Sequence, residues 1–149
     1  MSNAKIDVLG PNDLDLVAGL YNQVFQPNRD AAFFKRRFMG RYNGLILVAT
    51  LDNEAVGFAV GFELKPTVFY VWLIGVLPAY RRTGVGSQLT DAIGAWAHEH
   101  GYDSIRLECQ NRHRAMLHMV IAREYEIMGV RWDPDRGENL IIFEKSAHE

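Results

Sequence analysis

The sequence has a single cysteine, Cys109, in 149 residues. One thiol closes no intramolecular disulfide, and a cysteine-rich metal site is excluded. No metal is expected, and a reducing, cytoplasmic setting is. Surplus positive charge is also missing: 16 Lys and Arg stand against 18 Asp and Glu, a formal net charge of −2. A protein that holds nucleic acid by charge alone is usually basic, so nucleic acid is not an expected partner. The longest apolar run, residues 68–77, is only ten residues long and contains Gly75. That is too short to cross a bilayer as a helix, and no membrane partner is expected. The N-terminus lacks the basic and apolar regions of a signal peptide. Ser2-Asn3-Ala4 looks like an expression scar, so residues 1–4 are set aside and one domain is expected over residues 5–149.

Apolar residues make up 48% of the chain and charged residues 23%, the balance of a folded, soluble protein. The length suits one core. Residues 6–9 read as a strand, broken at Gly10-Pro11-Asn12. Leu14, Val17, Leu20, Tyr21, Val24 and Phe25 then recur at helical spacing. A second helix is expected from Asp30 to about Arg41, with Phe33, Phe34 and Phe38 inward. Residues 45–51 and 55–64 read as a hairpin about Asp52-Asn53-Glu54. Residues 68–77 are apolar on both parities, as in a central strand covered on both faces. A long helix is expected over residues 84–100, its stripe formed by Val85, Leu89, Ile93, Trp96 and Ala97, with Gly101 as its C-terminal stop. A strand over 104–109, a helix over 112–123 and a hairpin of 125–132 with 140–144 complete the chain. The order β-α-α-β-β-β-α-β-α-β-β predicts an α/β fold of the α+β, mixed-sheet kind, a single domain with helices on both faces.

The chemistry is concentrated in residues 76–87, Val-Leu-Pro-Ala-Tyr-Arg-Arg-Thr-Gly-Val-Gly-Ser. A buried strand ends at a proline, two arginines follow, and a glycine pair opens the best helix. A helix start offers unpaired N–H groups and partial positive charge. Glycines there let a phosphate approach the backbone. Arg81 and Arg82 add fixed charge. The segment therefore reads as a cradle for a pyrophosphate. It is not a nucleoside triphosphate loop, which requires a second spacing and a lysine. It is a poor dinucleotide fingerprint as well: the third glycine position is Leu89, although Glu108 lies near the acidic position 24 residues after Gly84.

Val-x-Pro-x-x-Arg-Arg-x-Gly-x-Gly between strand and helix, with Asn111 after the next strand, resembles the acyl-CoA motif of the GNAT superfamily of N-acyltransferases. The order of elements resembles that family over nearly the whole chain. The resemblance implies acetyl-CoA as co-substrate, an amine as acceptor, and direct attack of the amine in a ternary complex. It implies that the backbone of Ile74, Gly75 and Val76 pairs with the pantetheine arm and polarises the thioester carbonyl. Gly75 within a strand independently suggests a bulge or a close approach, or simply tight packing. Arg81, Arg82, Thr83, Gly84, Val85, Gly86 and Ser87 are implied at the pyrophosphate. Asn111 is implied at the pantetheine; on its own chemistry it also suits a helix N-cap.

Two positions depart from the family pattern. Many members carry a tyrosine seven residues after the asparagine as general acid, and this chain has His118 there. Tyr125 is the alternative acid, though it also reads as the start of a strand. The glutamate that some members use as base falls at Arg106, leaving Glu108, on the same strand face, as the candidate base. Glu63 and a water chain are the other options. Tyr21, Phe25, Arg29, Phe34, Tyr70 and Trp72 are candidates for the acceptor pocket, against the plainer reading of core aromatics. Lys35, Arg36, Arg37 and Arg41 make the second helix basic, either as a solvated face or as a grip on an anionic acceptor. Cys109 reads as a buried strand residue. The departures keep an alternative open, a non-catalytic acyl-CoA-binding or regulatory module. Homodimers are common on this fold and would suit the aromatic content.

Overall fold

The computed structural model describes residues 3–134 and 136–148. Ser2, assigned to the scar, and Asp135, in the expected last turn, lie outside them. The strands are β1 (Lys5–Leu9), β2 (Leu45–Leu51), β3 (Glu54–Lys65), β4 (Val68–Val76), β5 (Ser104–Gln110), β6 (Glu126–Asp133) and β7 (Glu138–Ser146). The helices are α1 (Leu14–Val24), α2 (Ala31–Phe38), α3 (Val85–Glu99) and α4 (Arg114–Ala122), with short 3-10 turns at Pro11–Asp13 and Pro78–Tyr80. The order of strands and helices is the expected one. All seven strands form one mixed sheet in the order β1-β2-β3-β4-β5-β7-β6. Only β4 and β5 run parallel. Among the described residues, no helix is long and apolar enough to cross a membrane.

Local chemistry accounts for the boundaries. Asp52 and Asn53 take φ of 50° and 67°, the left-handed pair of a tight hairpin turn. The Asp30 side chain accepts a hydrogen bond from Phe33 N–H at 3.0 Å and caps α2. That helix ends at Phe38, short of Arg41, because Met39 is extended and Gly40 takes φ of 75°. Helix α4 begins at Arg114, two residues late. Its N-cap is His113, not Asn111. The Asn111 N–H instead donates to Asn139 O, and the His113 N–H to Gln110 O.

The sheet carries a core on each face. Val85, Leu89, Ile93 and Ala97 of α3 pack with Val56, Phe69, Leu107 and Phe143 on one. Val17, Leu20, Tyr21 and Phe34 of the first two helices pack with Val48, Phe58 and Val60 on the other. Burial of such side chains stabilises the fold by about 1.5–3 kcal/mol each. Ala4, set aside with the scar, is buried on the α3 face, and its backbone exchanges hydrogen bonds of 3.0 and 3.1 Å with the Gln88 side chain.

Candidate functional site

Strand β4 supplies both cores, as alternation allows, and it also contains a bulge. Val60 of β3 pairs with Leu73 and Gly61 pairs with Val71, so Trp72 is an extra residue. Before it, Phe69 and Val71 face α3. After it, Leu73 faces α1 while Ile74 and Val76 pack on the α3 side. The same point ends the parallel ladder: Val71↔Leu107 is the last pair between β4 and β5. Residues 73–76 then pair with β3 alone, and residues 108–110 with β7 alone. The two central strands part, leaving one backbone edge of Ile74, Gly75 and Val76 without a strand partner. Gly75 itself is paired regularly with Phe58. Its hydrogen faces packed rings: a Cβ there would lie 2.6 Å from Phe58 Cε1 and 3.2 Å from Phe25 Cε2.

The parted strand leads directly to the glycine loop. Arg81 Nε donates to Val76 O at 3.4 Å, and the Thr83 hydroxyl donates to Tyr80 O. Arg82 and Gly84 take φ of 66° and 91°. Gly84 is the N-cap of α3 and brings no side chain to the helix start. Gln88 N–H bonds back to Gly84 O at 3.0 Å; the N–H groups before it open toward the loop. Val85 brings no side chain to the loop, since it is buried in the α3 core. A Cβ on Gly86 would meet Val76 Cγ2 at 3.7 Å and Met119 Cε at 4.0 Å, ordinary contact distances. Internal packing therefore does not require glycine at 86. Arg81 and Arg82 are exposed and have no ion-pair partner among the described residues. Left-handed backbone, a bare helix start and two cations make a setting suited to a phosphate.

The remaining sequence candidates fall in different places. His118 is exposed on α4, with no partner among the described residues. Tyr125 is buried in the α3 core, and burial and then Asp91 push its hydroxyl up to about 12. It lines a concavity of about 400 Å³ with Asp91, Arg123 and Lys145, between α3 and β7. Cys109 is buried in the same core, and its thiol is pushed up to about 12 chiefly by burial, which leaves it unreactive. The Glu108 carboxylate lies beside the parting but is fully engaged. Tyr70 donates its hydroxyl to Oε1 at 2.9 Å, and Arg131 donates to both oxygens at 2.8 and 3.2 Å. Burial alone would raise its pKa; Arg131 and Tyr70 outweigh that and hold it below the ordinary carboxylate value. Tyr70 is raised in turn, chiefly by burial. Arg106, at the family's glutamate position, is paired with Glu144.

Of the acceptor-side aromatics, Tyr21 and Phe34 are core residues, 1% and 0% exposed. Phe25, Arg29 and Trp72 are half-buried on the same face of the sheet. His113 joins them. The half-buried ring of His113 lies 6.0 Å from that of Phe25. Burial lowers its pKa below 6.5, Glu138 opposes the shift, and Arg81, Arg112 and Arg136 add to it. A neutral imidazole thus stands at the N-terminus of α4, between the glycine loop and the β6–β7 hairpin. Sequence reading passed over His113, because these neighbours lie on three distant segments.

Comparison with known proteins agrees with this geometry. The model of the GNAT acetyltransferase family matches residues 14–123. An uncharacterized protein of Mycobacterium leprae (strain TN) is 30% identical over 95% of this chain, which spans only 40% of that protein's length. Among solved structures, Ard1 from Thermoplasma volcanium superposes with a TM-score of 0.84 at 22% identity, covering 97% of this chain and 98% of that one. The Escherichia coli ribosomal-protein-S18-alanine N-acetyltransferase gives 0.83 at 18% identity, with 97% and 94% covered. A GNAT family acetyltransferase from Elizabethkingia anophelis with acetyl-CoA bound gives 0.76 at 16% identity, with 98% and 99% covered. At these identities the structural likeness is one of fold.

Proposed function

The chain belongs to the GNAT acetyltransferase family, and on that premise we propose that it moves an acetyl group from acetyl-CoA to a primary amine by direct attack in a ternary complex. The observation that carries this reading is the parting of β4 from β5 at Trp72, immediately before a glycine-started helix. The parting gives an extended thioester arm a backbone edge to pair with, at Ile74, Gly75 and Val76. The helix start gives the pyrophosphate N–H donors from Gly84 to Ser87, with Arg81, Arg82 and Thr83 around them. Asn111, at the turn after β5, is assigned to the pantetheine on the family resemblance. The binding of acetyl-CoA by structural neighbours supports the same donor.

In this reading the acceptor enters from the α1–α2 side. The amine loses a proton, its lone pair attacks the thioester carbonyl, and the carbon–sulfur bond breaks as the amide forms. A backbone N–H of the parted strand stabilises the developing oxyanion. Holding both reactants in the gap supplies much of the rate. His113 takes the ammonium proton in this reading, because burial lowers its pKa and its ring lies 6.0 Å from that of Phe25, which borders Gly75 of the parted strand. Glu108 orders Tyr70 and Arg131 and is not the base, since its lone pairs are engaged and its basicity is lowered. The departing thiolate has a conjugate acid of pKa about 8.5 by analogy with an ordinary thiol, so it takes a proton near pH 7, from solvent or from His118 on the open face of α4.

The test is amine-dependent release of CoA thiol from acetyl-CoA, with a mixed set of primary amines. Saturable release with an N-acetylated product is the expected result. Acetyl-CoA binding without turnover of any amine would instead identify a non-catalytic acyl-CoA-binding module.

A further inference from the structure

The face of the sheet that would receive the acceptor has an aromatic floor with cations around it. Tyr21 lies 5.0 Å from Phe25 and 5.2 Å from Phe34, and Phe34 lies 5.2 Å from Phe33 and 5.7 Å from Trp72, ring centre to ring centre. Arg136 stands over Phe25 at 5.7 Å, Arg29 over Phe33 at 4.6 Å, and Arg37 over Phe33 and Trp72 at 5.3 and 5.5 Å. A guanidinium that rests on a ring uses its face and leaves its N–H edge for a planar anion.

The charge on this floor is not balanced from within. Glu108 is paired with Arg131, Glu144 with Arg106 and Glu138 with Arg112. Among the described residues, no carboxylate lies within ion-pair distance of Arg29 or Arg37. The Nε of Arg29 is buried without a hydrogen-bond partner, a costly state for a charged donor. Arg136 donates to a neutral oxygen, the Tyr21 hydroxyl, at 2.6 Å. Surplus positive charge therefore lines this aromatic floor, with Arg37 over the bulge residue Trp72, Arg29 over Phe33 and Arg136 at the Phe25 end, in a protein whose net charge is −2. The pyrophosphate loop, with Arg81 and Arg82, is built on α3, which packs on the opposite face, so Arg29 and Arg37, before and within α2, are not needed to hold it.

Resting on the acyltransferase reading above, we propose that the acceptor is a small amine bearing a carboxylate, an amino-acid-type acceptor, gripped by Arg29, Arg37 and Arg136 on the α1–α2 face. Two coplanar oxygens match the N–H edge of a ring-stacked guanidinium. The aromatic floor supports the carbon skeleton, and the amine is left to reach the gap beside Trp72.

The test compares two acceptor pools, the free amino acids and the same amino acids as α-carboxamides, by CoA thiol release. Both pools offer the same α-amines and differ in the anionic group. Carboxamide amines are less protonated near neutrality, which biases the comparison against the proposal. The expected result is at least tenfold higher kcat/KM for the acids. Arg37→Ala, on an exposed side chain, and Arg136→Ala should each remove that preference by raising acceptor KM, with acetyl-CoA KM unchanged. Equal or faster turnover of the carboxamides, or of phosphoethanolamine, overturns the proposal. So does turnover of neither pool while other primary amines are acetylated, or a preference that survives both variants. Failure of acetyl-CoA to bind would remove the acyltransferase reading itself, a distinct result.

Discussion

Arg131 of β6 clamps the Glu108 carboxylate of β5, with Nη2 at 2.8 Å from Oε1 and Nε at 3.2 Å from Oε2. The pair crosses β7, which lies between the two strands in the sheet. It joins the edge hairpin to the strand that forms one wall of the gap. The clamp makes Glu108 a structural anion, and its consequences separate that role from the role of a base.

Glu108→Gln should lower kcat by less than about tenfold, whereas loss of a general base costs roughly 10²–10⁴. The stability loss at pH 7 should be on the order of 1 kcal/mol, because Arg131 is half-exposed. The folded pKa of Glu108 lies below its ordinary 4.5. Its contribution is therefore present above about pH 4.5 and is lost as pH falls through the folded value. Thermal melts of wild type and variant should converge at acid pH. A kcat loss of a thousandfold would restore Glu108 as the base.

His113→Ala should lower kcat by about 10²-fold or more. In the wild type, kcat should fall on the acid side with a midpoint below 6.5, since burial lowers His113 from that value. The variant should lose that limb. The folded protein binds this proton less readily than the unfolded chain. Protonation in the range below 6.5 therefore also costs stability, and the variant should lose less stability there than wild type. A His118→Ala variant with the larger rate defect would transfer the main proton-transfer role to α4.

The two glycines of the loop should behave differently. A side chain at Gly86 meets only ordinary contacts, so Gly86→Ala should leave stability unchanged or raise it by about 0.5–1 kcal/mol. A bulky residue in its place, Gly86→Leu, should weaken acetyl-CoA at least tenfold, by filling the space where the phosphate approaches. Gly84→Ala should weaken binding and also lower the melting temperature, because φ at 84 is 91°. Titration calorimetry beside a thermal melt separates the two. Unchanged affinity in Gly86→Leu would contradict the phosphate assignment.

Gly75→Ala should be destabilising by about 1–3 kcal/mol, since its Cβ would press within 2.6 Å of Phe58. Phe58→Leu in the same chain should recover part of that loss. Chemical denaturation of the two single variants and the double variant measures the coupling. Additive losses would show that the contact is not the cause.

The order of elements and the glycine loop were legible because both are written locally. Residues 76–87 carry their proline, arginines and glycines within one strand–helix junction. The bulge at Trp72 was hidden because residues 68–77 are apolar on both parities. Such a run does not reveal where the pairing slips, and Gly75, the residue that suggested an irregularity, is paired regularly. His113 and the state of Glu108 were hidden for another reason. Their properties come from Phe25, Arg81, Arg131 and Arg136, which only the fold brings near. Tyr21 shares the apolar stripe of α1 with Phe25, and Phe34 lies on that of α2. Periodicity placed all three inward but not how deeply each would sink.

The central claim is that the parted strands and the glycine-started helix together hold acetyl-CoA. Thermal unfolding with and without acetyl-CoA, with NAD and ATP as controls, tests it most directly. Ligand at 100 times its dissociation constant adds about 2.7 kcal/mol, a shift of ~5–10 °C for a domain of this size. The account predicts that shift with acetyl-CoA alone. No shift at millimolar acetyl-CoA, or an equal shift with NAD or ATP, would contradict it.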